Sequence, residues 1–150
     1  MGWCRTFFFV LASVLSLALF TTPALAQCPY GVFIGAKESE ILSVSEGCGV
    51  IVVEGLSFAP ETIQALKARG QFVYSYLSVG SLETYREYYE TFKDLALAPY
   101  ENWADEYWVD VTAPEWGEFI VGTLSRELAA KGVDGFFLDN FDVYGLYPSE

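Results

Sequence analysis

The sequence contains no histidine, one methionine and three cysteines among 150 residues. Without imidazole, Ser-His-Asp triads and histidine metal centres are excluded within this chain. Cations are scarce as well: 8 Lys and Arg stand against 20 Asp and Glu, a net charge of −12. Such a chain repels nucleic-acid backbones. A neutral or cationic partner suits it better, although acidity also serves plain solubility. No GxGxxG phosphate loop follows the first predicted strand, which argues against a doubly wound nucleotide-binding sheet.

The amino terminus carries a leader pattern. Arg5 precedes an apolar run over 6–20, and Pro23-Ala24-Leu25-Ala26 puts small residues at the −3 and −1 sites of a signal peptidase. This predicts a secretory signal peptide over 1–26 and a secreted or periplasmic mature chain, 27–150. The run is shorter than the ~20 apolar residues of a spanning helix, so no stable membrane span is expected after cleavage. Gln27 is too large for the small residue that normally precedes a lipidated cysteine. Cys4 leaves with the leader. Cys28 and Cys48 then form either one disulfide, clamping the first strand to the connection before the second, or two buried thiols.

Strand and helix patterns alternate along the rest. Apolar runs predict strands over 30–36, 49–54, 71–77, 106–111 and 133–138. The stretch 37–46 reads as a short helix or turn. Helices are predicted over 60–69, opened by Pro60 and closed by Gly70, and over 114–131, closed by Gly132. A further helix is predicted over 82–97 from Tyr85, Tyr88, Tyr89 and Phe92 at three- and four-residue spacing. Such alternation predicts a parallel α/β protein. Acidic and polar residues fall at several strand ends, which favours a (β/α)8 TIM barrel. Five strands are too few to close one, so the chain is expected to be the barrel's amino-terminal portion, with about three βα units missing.

The most informative stretch is Val133-Asp134-Gly135-Phe136-Phe137-Leu138-Asp139-Asn140-Phe141-Asp142-Val143-Tyr144. A core strand empties there into carboxylates, which are costly to bury without purpose. Alternation puts Gly135, Phe137 and Asp139 toward the barrel axis, with Phe136 and Leu138 toward the outer helices. Asp139 is the candidate catalytic residue, and Asp142 can bend back toward the same cleft. Asn140 either orients a hydroxyl or braces the loop. The competing reading makes both aspartates turn-forming residues. A calcium site would need more oxygen ligands, and EF-hand spacing is absent; no metal site is expected.

Other candidates follow from strand ends. Glu54 closes the second strand and can reach the same mouth. Tyr76 and Ser78 share a strand face and can floor a cleft. Gly80 permits a tight turn or a close approach of substrate. Arg86 either pairs with Glu83 on the surface or folds under the rim to hold a carboxylate. Asp110 binds substrate or pairs with Arg86. Trp103, Tyr144 and Tyr147 offer faces for a sugar-binding groove, while Trp108 and Trp116 suit the core better. Glycoside cleavage needs a second carboxylate ~5–5.5 Å away for retention or ~6.5–9.5 Å for inversion.

Leu66-Lys67-Ala68-Arg69-Gly70, Tyr76-Leu77-Ser78-Val79-Gly80 with Glu83 and Tyr85-Arg86, Tyr107-Trp108-Val109-Asp110-Val111 with Trp116, and the 132–144 stretch together resemble the endo-α-1,4-polygalactosaminidase family, glycoside hydrolase family 114. The resemblance spans about 49–144. It implies a TIM-barrel glycosidase without a cofactor, cutting α-1,4 linkages in galactosamine-containing polysaccharide, a polymer that is cationic where deacetylated. It further implies that Asp139 is the nucleophile and that the second catalytic residue is a glutamate beyond residue 150. This chain has Glu54 where relatives often have aspartate. The alternatives are a catalytically inactive carbohydrate-binding barrel and a polysaccharide deacetylase, the latter disfavoured by the missing histidine ligands.

Overall fold

The computed structural model of the chain describes residues 28–147. The predicted leader lies outside the described residues, as does the side chain of Cys28, and with it the expected disulfide.

Four strands form a parallel sheet in the order β1-β2-β3-β7: β1 (Cys28–Phe33), β2 (Cys48–Val53), β3 (Phe72–Ser78) and β7 (Gly135–Asp139). The β-branched content of β2 suits a strand covered by helices. Ile51 and Val53 of β2 and Val73 of β3 pack against Ile41 of α1 (Glu38–Val44) and Ile63 and Leu66 of α2 (Pro60–Ala68). Pro60 opens α2, where its missing N–H costs nothing. Leu77 of β3 joins a second cluster with Trp116, Ile120, Leu124 and Leu128. These come from one helical run, α4 (Pro114–Phe119) and α5 (Ser125–Ala130), joined by a π-helical turn over Ile120–Leu124.

The register sorts the opposite face. Tyr74 pairs with Gly135, Tyr76 with Phe137 and Ser78 with Asp139. Gly135 leaves room for the Tyr74 ring, which a Cβ there would approach to 2.7 Å and displace. Asp139 therefore lies on the Tyr76 face, as the alternation anticipates.

Residues 81–109 depart from the sequence expectation. The predicted helix over 82–97 is mostly absent, and only α3 (Tyr89–Phe92) is α-helical. Instead β4 (Ser81–Glu83) and β5 (Ala96–Pro99) flank β6 (Glu106–Val109) in a separate antiparallel sheet. The expected fourth barrel strand is thus β6 of this small sheet. Among the described residues the parallel sheet has four strands rather than five. Long-range pairing has overridden local propensity. The Tyr88 and Phe92 rings that suggested a helical stripe instead gather on Trp116 and Phe119, with centroids 4.6–6.4 Å apart.

Two contacts tie the sheets and helices together. Val109 N donates to Gly80 O (3.1 Å), holding the small sheet at the end of β3. Lys67 of α2 donates to Gly132 O (2.8 Å) and Asp134 Oδ1 (2.7 Å), while Asp134 Oδ2 accepts from Val73 N (2.8 Å). Partial burial works to raise the Asp134 pKa, but the Lys67 bond and the Val73 amide outweigh it and hold the carboxyl below its usual value. A depressed carboxyl pKa stabilises the fold above the unfolded value, ~3.9, and that stability fades as pH falls through the folded value. Asp134→Asn should therefore lower the melting temperature at neutral pH, with the gap to the parent closing below about pH 4; a gap independent of pH would contradict this role.

Candidate active site

The ends of β3 and β7 meet at a cleft of about 350 Å³. Asp139 lines it, and both of its carboxylate oxygens accept hydrogen bonds. Tyr76 Oη donates to Oδ2 (2.9 Å), and Asn140 N donates to Oδ1 (3.0 Å). Burial, then the bond to Asp139, pushes the Tyr76 phenol well above its usual pKa. Tyr76 therefore stays protonated and serves as a fixed donor.

Beneath Asp139 lies a polar cradle. Asn140 adopts φ 58°, the one positive value outside glycine among the described residues. Its Nδ2 lies within hydrogen-bonding distance of Ser81 Oγ (2.6 Å), Glu106 Oε1 (2.9 Å) and Ser78 Oγ (3.2 Å). Ser81 also donates to Glu106, and the two serine hydroxyls are 2.5 Å apart. Burial is the main cause that raises the Glu106 pKa, with the Glu83 and Asp139 charges adding to it and the Ser81 and Asn140 bonds opposing it. Glu106 lines the cleft as well.

A second ionic group forms the far wall. Arg86 Nη2 donates to Glu83 Oε1 (2.8 Å) and Glu54 Oε2 (3.0 Å). The side chains of Arg86, Glu54 and Glu83 are only 9, 15 and 4 % exposed. Burial alone would lower the Arg86 pKa, but the bonds to both glutamates overcome it and drive it upward. Glu54 Oε1, Glu83 Oε2 and Arg86 Nε are buried without a protein partner. Arg86 also lies 5.1 Å from the centre of the Tyr85 ring, whose phenol is pushed up to about 12, chiefly by burial.

The structure thus brings Asp139, Glu54, Tyr76, Asn140 and Trp103 to one cleft, with Arg86 behind Glu54. Trp103 is 62 % exposed, so its face is open to a ligand. Other sequence candidates lie elsewhere. Ser78 is buried in the cradle below the cleft. Asp110 closes a local turn, accepting from Thr112 N (2.9 Å) and Thr112 Oγ1 (2.6 Å) rather than from Arg86. Asp142 precedes the short helix α6 (Val143–Leu146) and is exposed outside the cleft lining. Tyr144, with Leu138 and Phe141, lines a separate apolar groove beside α4. Gly80 makes room for the neighbouring backbone: a Cβ there would meet Asn140 O at 1.8 Å. Trp108 and Trp116 are buried, as expected of core residues.

A family model for glycoside hydrolase family GH114 matches residues 26–150. The chain belongs to this family. No curated protein matches it. Among solved structures, it resembles the glycoside hydrolase domain of PelA from Pseudomonas aeruginosa, with TM-score 0.61 and 22% identity over 78% of this chain and 45% of that one. It also resembles Aspergillus fumigatus Ega3, solved in complex with galactosamine, with TM-score 0.62 and 27% identity over 69% of this chain and 41% of that one. The GH114 chain therefore spans less than half the length of either structure. Its α/β fold with a parallel sheet is TIM-barrel-like.

Several cleft residues were not legible in this GH114 sequence. Glu106, Asp105 and Tyr100 reach the site only because β6 pairs with β4 and β5. The one signal for Glu106 is its alternation with the buried Trp108. Among the described residues, no group of three or more His, Cys, Asp or Glu is arranged to hold a metal ion. Removing the single cation from its two glutamates should be severe: Arg86→Ala is expected to cost about 3–5 kcal/mol, because two buried carboxylates lose their counter-charge. Urea unfolding measures it, and a loss under ~1 kcal/mol would place the trio among weak surface pairs.

Proposed function

We propose that this chain is the amino-terminal portion of an exported glycoside hydrolase that cleaves α-1,4 linkages in galactosamine-containing polysaccharide, with Asp139 as nucleophile. The observation that carries the proposal is the composition of the cleft. Asp139 sits with Glu54, Glu83, Asp105 and Glu106 beside the faces of Trp103 and Tyr85, and none of the described residues lining it is cationic. Flat aromatic faces suit the apolar faces of sugar rings. Excess carboxylate in a partly desolvated site favours an ammonium-bearing ligand. Family membership and the likeness to Ega3 with galactosamine support the same reading.

Tyr76 and the Asn140 amide hold the Asp139 carboxylate at fixed positions, so that attack on an anomeric carbon needs no reorganisation of the nucleophile. The acid that protonates the leaving oxygen is assigned to a glutamate beyond residue 150, on a later strand of the same barrel. The uncovered apolar side chains of the inner sheet face, Val32 and Phe137, fit a barrel closed by that further chain. Export rests on the leader pattern over 1–26. Among the described residues no helix is long and apolar enough to cross a membrane.

Asp139→Asn keeps the shape but cannot attack. In the full chain it should abolish cleavage of partly deacetylated galactosamine polymer while leaving the melting temperature within a few degrees of the parent. Unchanged cleavage would refute the assignment. Charge recognition adds a second expectation: KM for the deacetylated polymer should rise with salt as screening tightens from ~10 Å at 0.1 M to ~3 Å at 1 M. The fully N-acetylated polymer should show no such dependence.

A further inference from the structure

We propose that Glu106 is a positioning residue for Asp139, acting through the side chain of Asn140; this rests on the reading of Asp139 as the nucleophile. Asn140 is the relay because it is held on three sides. Its backbone N–H fixes Asp139 Oδ1, and its side-chain amide reaches Glu106 Oε1. Its carbonyl packs against Gly80, where no side chain would fit. The residue also holds φ 58°, a left-handed conformation that a non-glycine residue adopts at a cost and keeps only when its surroundings enforce it.

Two groups from outside the parallel sheet enforce it, Ser81 on β4 and Glu106 on β6, and Glu106 is the acceptor on which the Ser81 hydroxyl and the Asn140 amide both depend. Glu106 lies 34 residues before Asn140, on β6 of the antiparallel sheet. Two donors, Ser81 Oγ and Asn140 Nδ2, converge on one of its oxygens. The sheet formed by 81–109 thus delivers an acceptor to the underside of the catalytic loop, and the loop's backbone turns that anchor into a fixed direction for the Asp139 carboxylate. Without it, Asn140 can relax out of the left-handed region and its N–H swings away from Oδ1. A misplacement of about 1 Å at a reacting group can cost on the order of 10²-fold in rate.

The role is one of accepting hydrogen bonds, so a glutamine carbonyl oxygen can supply it and an alanine cannot. The test compares E106A, E106Q, N140G and D139N in the full chain, by cleavage of partly deacetylated galactosamine polymer and by amide hydrogen exchange at Asn140. E106A should lose on the order of 10²-fold in kcat, with KM changed far less, and should speed Asn140 exchange while the Val73 core amide keeps its protection. E106Q should recover at least about a tenth of the parental rate and the slow exchange. N140G retains a residue at ease with positive φ but lacks the tether, and it should lose rate with the fold intact. It covers the case in which E106A fails to fold. Parental rates in E106A or N140G beside an inactive D139N would overturn the positioning role alone. So would an E106Q as impaired as E106A, or an unchanged Asn140 exchange in E106A. An active D139N would overturn the underlying assignment of the nucleophile.

Discussion

The in-register pairing of β3 with β7 is the constraint on which the site depends. Ser78 stands opposite Asp139, and Val79 N donates to Asp139 O (3.1 Å), so the two strands end together. Beyond that point the chains separate only by the thickness of a backbone: Gly80 on one side and Asn140 on the other. This close approach sets Tyr76 and Asp139 side by side on one face. A one-residue slip of β7 against β3 would turn Asp139 toward the helices and away from Tyr76. The helical side is already filled by Leu77, Trp116, Ile120 and Leu128, which makes the observed register the one that buries the core.

The antiparallel sheet has its meaning relative to that junction. It is inserted directly after β3, and its strand β6 returns Glu106 beneath the loop that follows β7. The neighbouring turn brings Arg86 to Glu54 at the end of β2. Carboxylates from four separate strands or strand ends, β2, β4, β6 and β7, are thereby gathered around one cleft. Gathering like charges is unfavourable, and the structure offsets it unevenly. Arg86 offsets part of the charge of Glu54 and Glu83, while hydrogen bonds rather than cations serve Asp139 and Glu106. The surplus of negative charge is the physical basis for expecting a cationic sugar polymer.

Much of the frame could be read from the sequence, because it follows local rules. The β-branched run of β2, Pro60 opening α2 and Gly132 closing the run that ends in α5 each fix an element without tertiary information. The alternation of Gly135, Phe137 and Asp139 puts the Asp139 side chain on the face away from the helices, and the structure has it there, beside Tyr76. The stretch 81–109 failed for the opposite reason. Of the aromatic residues at helical spacing there, Tyr88 and Phe92 pack on Trp116 and Phe119 from a single short helical turn, and the strands exist only through pairing with one another. Glu106 was hidden with them. Ser78 and Gly80 stand at a strand end, but what holds their identities is the Asn140 side chain and backbone. The nearness of Tyr144 to Asp139 in sequence carried no spatial meaning, because the α6 turn directs its ring to a different groove.

The central claim is that the Asp139 carboxylate faces a bound sugar. A crystal structure of the Asp139→Asn full chain with a galactosamine oligomer tests it most directly. The account predicts a sugar ring against Trp103, with its anomeric carbon over the substituted side chain at position 139 and an ammonium group near Glu54 or Glu106. An oligomer bound in the apolar groove beside Tyr144, or one lying with the side chain at position 139 turned away from every ring, would contradict it.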